Sequence, residues 1–231
     1  MALNAKKIQG KKNFVEQDNL PIDNYPARVV QVIDLGLQDG GSWAGEKKPP
    51  VNKLRVTYEL VDAFMLDEDG EELEDKPRWI SEDFPMYGPH ADKAKCNARY
   101  KAIDPTLVHD YNWAELLGSP CMVMTTQNES GGKVYDNVGL VTPYIVSKRN
   151  PELPPLKNDP KAFDLEEPDM ELFNSLPEWL QDKIKGNLEF KGSLLEELLG
   201  GAKQKKAKPA AAKAKTEPDG DEEEDENLGW D

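Results

Sequence analysis

The sequence predicts a mainly β domain with one inserted helix, followed by short helices and a disordered acidic tail. Three observations support this prediction. Several stretches of the first 150 residues alternate apolar and polar side chains or are rich in β-branched residues, as strands are. Glycine-containing dipeptides typical of hairpin turns separate some of these stretches. Near the end of the chain, six consecutive carboxylates leave nothing to bury, so this segment cannot fold alone.

The charge of the chain is distributed unevenly. Its 231 residues carry a formal net charge of -15 at pH 7. Residues 1–150 are nearly balanced, with 18 Lys and Arg against 23 Asp and Glu, whereas residues 201–215 contain six Lys and no acid. Residues 216–231 contain nine acids and no base. An acidic total normally argues against nucleic-acid binding, but here much of it lies in a separate tail.

Cysteine and histidine are too few for a disulfide framework or a metal site. Cys96 and Cys121 are the two cysteines, and His90 and His109 have no metal-ligand spacing. We therefore expect neither a metal nor another cofactor. No apolar run approaches the length of a membrane-spanning helix, and the N-terminus lacks the apolar core of a secretory signal. These features predict a soluble protein of a reducing cytoplasm, with no membrane partner.

The first half of the predicted domain consists of three strands. Residues 1–24 are polar and interrupted by a proline, which predicts a flexible arm. The β-branched stretch 25–37 predicts the first strand. In 53–64 apolar and polar residues alternate, which predicts a second strand with two distinct faces. The dipeptide Asp69-Gly70 predicts a hairpin turn before a third strand over 78–86.

One helix and two further strands complete the predicted domain. Alanines at helical spacing predict a helix over 89–103 with a basic polar side. Strands are predicted over 120–127 and 133–144, joined by a Ser-Gly-Gly turn. Three strands, a helix and two strands are the element order of the OB fold, a five-stranded β-barrel. We therefore predict an OB-like barrel over residues 25–146, although other small β-barrels and α+β sheets share this order.

The rest of the chain is predicted to contain a linker, short helices and a disordered end. Prolines and polar residues begin the segment 147–200. Its short apolar clusters predict amphipathic helices that need a surface to lie on, either the barrel or a partner. Residues 201–231 are predicted to be disordered, first as a Lys/Ala/Pro linker and then as the acidic tail.

No motif in the chain indicates catalysis. It has no phosphate-binding loop, dinucleotide fingerprint, nucleophile elbow, Cys-x-x-Cys pair or zinc-protease motif, so we expect a binding protein and not an enzyme. Single-stranded nucleic acid is bound by a positive groove whose aromatic side chains stack on the bases. The candidate DNA-binding residues are Trp43, Lys53, Arg55, Arg78, Trp79, Tyr87, Lys93, Lys95, Arg99, Tyr100, Lys133 and Tyr135. Each aromatic could instead be a core residue, and each cation an ordinary surface residue.

Four segments and the tail carry a family resemblance. The segments are YPARVVQV in the first strand, KLRVTYELVDAF in the second, GSPCMVMTTQ in the fourth, and LPEWLQDKI after the barrel. With these features the chain resembles phage single-stranded DNA-binding proteins of the OB-fold type with an acidic C-terminal tail. In that family the acidic run occupies the DNA groove when DNA is absent, and the aromatic tip binds partner proteins when DNA displaces the tail. The resemblance implies these roles for Asp221, Glu222, Glu223, Glu224, Asp225, Glu226, Leu228 and Trp230. This sequence ends in Trp-Asp, whereas bacterial tails end in Pro-Phe and some phage tails in Phe.

The resemblance implies a role in DNA replication, recombination or repair. The expected partners are single-stranded DNA and, through the tail, replication or recombination proteins such as a polymerase, a helicase-primase or a nuclease. The expected location is the cytoplasm of the infected bacterial host, and self-association into a homo-oligomer stays open. Two other classes fit the sequence. One is an acidic adaptor or DNA-mimic inhibitor without DNA binding of its own, and the other is a virion accessory protein with an OB-like fold.

Overall fold

The structure is a computed structural model that describes residues 15–206, apart from the side chains of Trp43 and of residues 201–206. The fold is mainly β with few helices. The strands are β1 (Asn24–Gln38), β2 (Ser42–Trp43), β3 (Glu46–Lys47), β4 (Val51–Leu66), β5 (Glu72–Pro85), β6 (Pro120–Ser130), β7 (Lys133–Pro143) and β8 (Lys161–Phe163). The helices are α1 (Lys95–Ile103), α2 (Met170–Ser175), α3 (Glu178–Lys185) and α4 (Leu194–Lys206). Over the described residues, no helix has the length and apolar character needed to cross a membrane.

Five long strands form one sheet in the order β5-β4-β1-β6-β7, and each neighbouring pair is antiparallel. Strand β6 pairs with β1 only from Asn24 to Arg28. Strand β8 pairs with β1 in parallel, from Gln31 to Ile33. Strands β5 and β7 approach each other without forming a ladder in the described chain, and α1 packs against both. The sheet is therefore open between β5 and β7 in the described chain, whereas the sequence predicted an OB-like barrel.

The five predicted strands and the predicted helix are all present, with shifted ends. Strands β4 and β5 extend beyond their predicted limits towards the hairpin turn, where Gly70 has a φ of 82° that glycine adopts at little cost. Helix α1 begins at Lys95 and not at residue 89. The preceding residues form turns instead, in which the Ala91 N–H donates to the Gly88 carbonyl oxygen (3.0 Å).

The first hydrophobic core lies between the inner face of the sheet and α1. Its members include the four apolar residues of β4 that were predicted to share one face, which are Leu54, Val56, Tyr58 and Leu60. Helix α1 contributes Cys96, Tyr100 and Ile103. Burying a large apolar side chain stabilises a fold by about 1.5–3 kcal/mol, so this core is the main support of the sheet.

A second hydrophobic core lies on the opposite face of β1. Ile33 and Leu35 are fully buried there against the segment that follows the sheet. We call residues 153–199 the C-terminal layer. Its buried members in this core are Phe163, Phe173, Leu176, Leu180, Ile184 and Leu195. The sequence predicted short amphipathic helices that need a surface to lie on. In the structure these helices pack on the sheet itself.

The C-terminal layer packs closely against β1 at Gly36. This residue has a φ of 69°, and a Cβ there would lie only 2.8 Å from Leu165 Cδ1 and 2.9 Å from Asn187 Cγ. The Leu188 N–H donates to the Leu37 carbonyl oxygen at 2.8 Å. A side chain at position 36 would therefore push the layer away from β1, because both the backbone conformation and the space favour glycine.

The part of the predicted N-terminal arm that the structure describes, from residue 15 onward, also contacts the sheet. The side chain of Gln17 makes two hydrogen bonds with the backbone of Leu66, donating to its oxygen (3.0 Å) and accepting from its N–H (2.7 Å). Leu20 is buried, and its N–H donates to Asp136 Oδ2 at 2.8 Å. Residues 15–23 thus connect the end of β4 with the beginning of β7.

Candidate nucleic-acid interface

Two exposed aromatic residues lie within and just after β5. Trp79, in the middle of the strand, is 43% exposed, and its indole N–H donates to Glu59 Oε2 at 3.2 Å. Tyr87 follows the C-terminal end of the strand and is 51% exposed. At the strand rise of about 3.3 Å per residue, the two residues lie roughly 26 Å apart along the chain. Both predicted aromatics are therefore accessible, but they are separate from each other.

The beginning of β7 lies beside the middle of β5. Arg78 Nη2 lies 3.6 Å from Asp136 Oδ2, and the other terminal nitrogen of Arg78 donates to the Asp18 carbonyl oxygen. Tyr135, which precedes Asp136 in the chain, is 49% exposed, and Lys133 is exposed as well. This ion pair connects the two edge strands β5 and β7 across the gap between them.

Lys53 and Arg55 lie on the outer face of β4, as their alternation predicted. Lys53 Nζ donates to the Asp39 carbonyl oxygen at 2.9 Å and is partly exposed. Arg55 Nη1 forms an ion pair with Asp83 Oδ1 at 2.6 Å, and its guanidinium lies against the ring of Trp179 in α3. The C-terminal layer therefore covers Arg55, which leaves Lys53 as the more accessible cation of the pair.

The basic side of α1 is only partly a surface. Lys93, just before the helix, is exposed, and Lys95 Nζ lies 2.6 Å from Glu82 Oε2. Arg99 is buried, where its Nε lies 2.8 Å from Glu82 Oε1 and its Nη2 donates to the Gly139 carbonyl oxygen. The sequence assigned Arg99 to the interface, but this side chain holds α1 against β5 and β7.

Tyr100 is also a core residue, which corrects its assignment to the interface. It is fully buried, stacked on Tyr111 with ring centres 4.9 Å apart and in edge contact with Trp113 at 5.2 Å. Burial, with the nearby carboxylate of Asp104, raises the pKa of Tyr100 to about 12. No base can stack on a ring that is enclosed on all sides, so Tyr100 stabilises the domain and does not face a ligand.

The buried carboxylate of Glu82 explains why α1 turns a cation inward. Glu82 lies between Ile80 and Phe84 on the inner face of β5, and the Tyr58 hydroxyl donates to its Oε1 at 3.0 Å. Burial, and then the negative charge of Glu82, raise the pKa of Tyr58 well above its usual value. A buried carboxylate is costly unless it is paired, and Arg99 supplies the partner. The sequence signal was the alternation Ile80-x-Glu82-x-Phe84, which places an acid on an apolar face.

The remaining predicted residues fall into two groups. The exposed or partly exposed group consists of Lys53, Trp79, Tyr87, Lys93, Lys133 and Tyr135, and of these Lys53 belongs to the inner strand β4. The side chain of Trp43 lies outside the described part of the structure, although its backbone belongs to the β2–β3 hairpin. The tail residues Asp221, Glu222, Glu223, Glu224, Asp225, Glu226, Leu228 and Trp230 lie outside the described residues.

The described residues contain no exposed cysteine and no metal site. Cys96 and Cys121 are free and buried, and burial raises the pKa of the Cys121 thiol. Within residues 15–206, no group of three or more His, Cys, Asp or Glu side chains is arranged to hold a metal ion. In comparisons with known proteins, no protein-family model and no curated protein sequence matches the chain.

Proposed function

We propose that this protein binds single-stranded DNA without sequence preference, along the open edge of the sheet between β5 and β7. The observation that carries the proposal is the strand order β5-β4-β1-β6-β7 with a helix between the third and fourth long strands packed against both edge strands. This arrangement supports assignment to the OB-like folds, which commonly bind oligonucleotides. In this proposal the open gap corresponds to incomplete closure of the barrel.

The aromatic residues of the edge would supply most of the binding energy. Trp79, Tyr87 and Tyr135 are each about half exposed, which leaves one ring face free for a base. Stacking of a base on such a ring contributes on the order of 1–3 kcal/mol, and every base has a face that can stack. Three separate rings therefore suit a flexible single strand better than a stiff duplex.

Few cations of the proposed interface are free to contact phosphates. The affinity for DNA should therefore depend only weakly on salt concentration. Arg55, Arg78 and Lys95 already have carboxylate partners. Lys93 and Lys133 are exposed and form no ion pair within the described residues, and Lys53 donates to the carbonyl oxygen of Asp39. If three lysines contact phosphates, the logarithm of the binding constant should fall with a slope of about -2 against the logarithm of salt concentration.

The acidic tail has a place in the same proposal through the family resemblance. Asp221 to Glu226 would compete with DNA for the lysines of the edge, and Trp230 would contact a polymerase, helicase-primase or nuclease. The protein would then protect single strands during replication, recombination or repair in the cytoplasm of an infected bacterium.

The test is a binding measurement with fluorescent oligo-dT and with a duplex of the same length. We expect oligo-dT to bind at low salt, the duplex to bind at least ten times more weakly, and removal of residues 216–231 to tighten binding to oligo-dT. Titration from low to moderate salt should give the slope of about -2. Absence of oligo-dT binding at low salt, with and without the tail, would contradict the proposal.

A second candidate function is an acidic adaptor or DNA-mimic inhibitor. The observation that favours it is that four of the seven cations predicted for the interface, which are Arg55, Arg78, Lys95 and Arg99, pair with carboxylates and leave few cations for phosphates. This candidate predicts tight binding to the basic DNA site of another protein, such as a nuclease, in a DNA-free sample. It also predicts that single-stranded DNA competes with this protein for that nuclease and never binds to this protein itself.

A further inference from the structure

A cleft of about 890 Å³ lies between the end of the sheet and the C-terminal layer. One wall is formed by residues that follow β5 and by the loop before β6, including Tyr87 and Trp113. The other wall is formed by the layer, from Asp164 to Glu166 and from Asn187 to Ser193. The proposed DNA edge uses only Tyr87 of these residues, so the cleft is a separate feature of the molecule.

The charged side chains that line the cleft are all acidic. Its lining includes the carboxylates of Asp34, Asp164, Glu166 and Glu189, and no lysine, arginine or histidine among the described residues. Burial raises the pKa of Asp34, and the nearby carboxylates of Asp164 and Glu166 raise it further. Such a surface repels phosphate and attracts cations. A nucleic acid is therefore an unsuitable occupant, and a basic segment is a suitable one.

The aromatic side chains of the cleft suit the same occupant. Tyr87, Tyr111 and Trp113 line its outer wall, and all three are at least partly exposed. Aromatic ring faces attract ammonium groups, with Trp the strongest, and a lysine stem packs well on a ring. A cleft with rings on one side and carboxylates on the other can therefore hold the apolar stem and the charged end of a lysine together.

We propose that the chain's own Lys/Ala/Pro segment, residues 207–215, docks in this acidic cleft. The segment contains Lys208, Lys213 and Lys215 with no acid, and the residues between them are Pro209 and small alanines. Alanine and proline leave the segment slim enough to lie along a cleft, and proline reduces the entropy lost on docking. The charges of the segment and the cleft are opposite.

The segment is long enough to reach the cleft from the end of α4. Ser193, immediately before α4, lines the cleft, and α4 has 13 residues. At 1.5 Å per residue the helix carries the chain about 20 Å away. The nine residues from 207 to 215 span up to about 30 Å when extended, so Lys213 and Lys215 at the far end of the segment can come back to the cleft. Docking within one molecule also gains from the high effective concentration of a tethered segment.

Docking of this segment would separate the two charged blocks of the chain. Lys213 and Lys215 would be bound by Asp164, Glu166 and Glu189 instead of pairing with the acidic run that follows them. The acidic tail would then begin at the cleft, next to Tyr87. This inference does not rest on DNA binding, because the carboxylates of the cleft and the lysines of the segment are not among the proposed DNA-binding residues.

The proposal is tested by measuring how a spin label broadens the amide NMR signals of the full-length protein. A spin label on Ala212→Cys reports where the segment lies, and the native Cys96 and Cys121 are buried and do not compete for the label. At low salt we expect strong loss of amide signal for Tyr87, Tyr111, Trp113 and Glu166. Signals from the β6–β7 hairpin around Gly131 should keep their intensity, because this turn lies at the opposite end of the sheet.

Charge-reversal variants identify the contacts. In Glu166→Lys/Glu189→Lys the broadening should disappear, whereas the control Glu74→Lys/Glu129→Lys changes the net charge equally on exposed residues outside the cleft and should leave it intact. Adding Lys208→Glu, Lys213→Glu and Lys215→Glu to the first variant should restore at least half of the broadening. Three results would each overturn the proposal: no broadening in the labelled protein, equal broadening in both charge variants, or broadening only between molecules in a mixed sample of labelled and isotope-enriched protein.

Discussion

The guanidinium carbon of Arg55 in β4 lies 4.8 Å from the ring centre of Trp179 in α3. Arg55 also pairs with Asp83 in β5, and Lys183, one helical turn after Trp179, pairs with the other oxygen of Asp83. Two strands of the sheet and one helix of the C-terminal layer thus meet in one network of charged side chains. This network attaches α3 to the outer face of β4, at a place outside the second hydrophobic core.

Replacing Trp179 by alanine should therefore weaken the attachment of α3. The indole is 53% exposed, so only one of its faces contributes, and we expect the free energy of unfolding to fall by about 1 kcal/mol. Urea denaturation followed by circular dichroism measures this change. Tyr135→Ala, which removes an aromatic ring of similar exposure from β7, is the matched control and should change stability less. Equal losses in the two variants would contradict a specific contact with Arg55.

Removal of a single exposed ring should weaken the proposed DNA binding. We expect Trp79→Ala and Tyr135→Ala each to raise the dissociation constant for oligo-dT by roughly 5- to 100-fold, since one stacked base contributes about 1–3 kcal/mol. Fluorescence anisotropy measures the effect. Trp179→Ala serves as the control, because this ring is equally exposed but lies on the C-terminal layer. If all three variants bind like the original protein, the edge between β5 and β7 is not the binding surface.

Arg99 should be essential for stability and not for DNA binding. Arg99→Ala leaves Glu82 with Lys95 as its remaining cationic partner and removes its fully buried one, so we expect a loss of about 3–5 kcal/mol in the free energy of unfolding. Lys101→Ala, which removes an exposed ion pair with Asp92, should change stability little. Thermal melting compares the two variants. A melting temperature for Arg99→Ala close to that of the control would show that the buried pair is dispensable.

The thiols should be unreactive in the folded protein. Cys121 is fully buried, and burial raises its pKa, so the thiolate that reacts with disulfide reagents is scarce at pH 8. Cys96 is buried too, and its sulfur accepts a hydrogen bond from the Tyr87 N–H. We expect a thiol reagent to modify neither residue within minutes at pH 8, and to modify both after addition of denaturant. Rapid modification of the native protein would mean that α1 opens readily.

The strands could be predicted from local pattern, but the second layer required a different signal. Alternation in β4 identified its buried face correctly, because one face of that strand contacts the core. In β1 the apolar residues do not alternate: Val29, Val30, Val32, Ile33 and Leu35 are all buried. Such a run is typical of a strand that is covered on both faces. It therefore already indicated that another part of the chain packs on the outer face of β1.

The candidate site was harder to predict than the fold, because it depends on partners that are distant in the chain. The helical spacing of α1 placed Arg99 on a polar side, but the carboxylate that draws it inward belongs to β5. Arg55 alternates onto an outer face as predicted, and only the position of α3 decides that this face is covered. Charge pairing between distant elements decides which cations stay accessible, and a local pattern carries no information about it.

The pairing of β1 with β8 has a consequence for how the protein is made. Strand β1 leaves the ribosome well before the layer that covers Ile33 and Leu35, which includes residues as late as Leu195. Contacts between such distant parts of a chain form slowly, since a large loop must close before they form. During synthesis the outer face of β1 is therefore bare and apolar for most of the time that the chain is growing. Exposed apolar surface of this kind makes a nascent chain prone to aggregate.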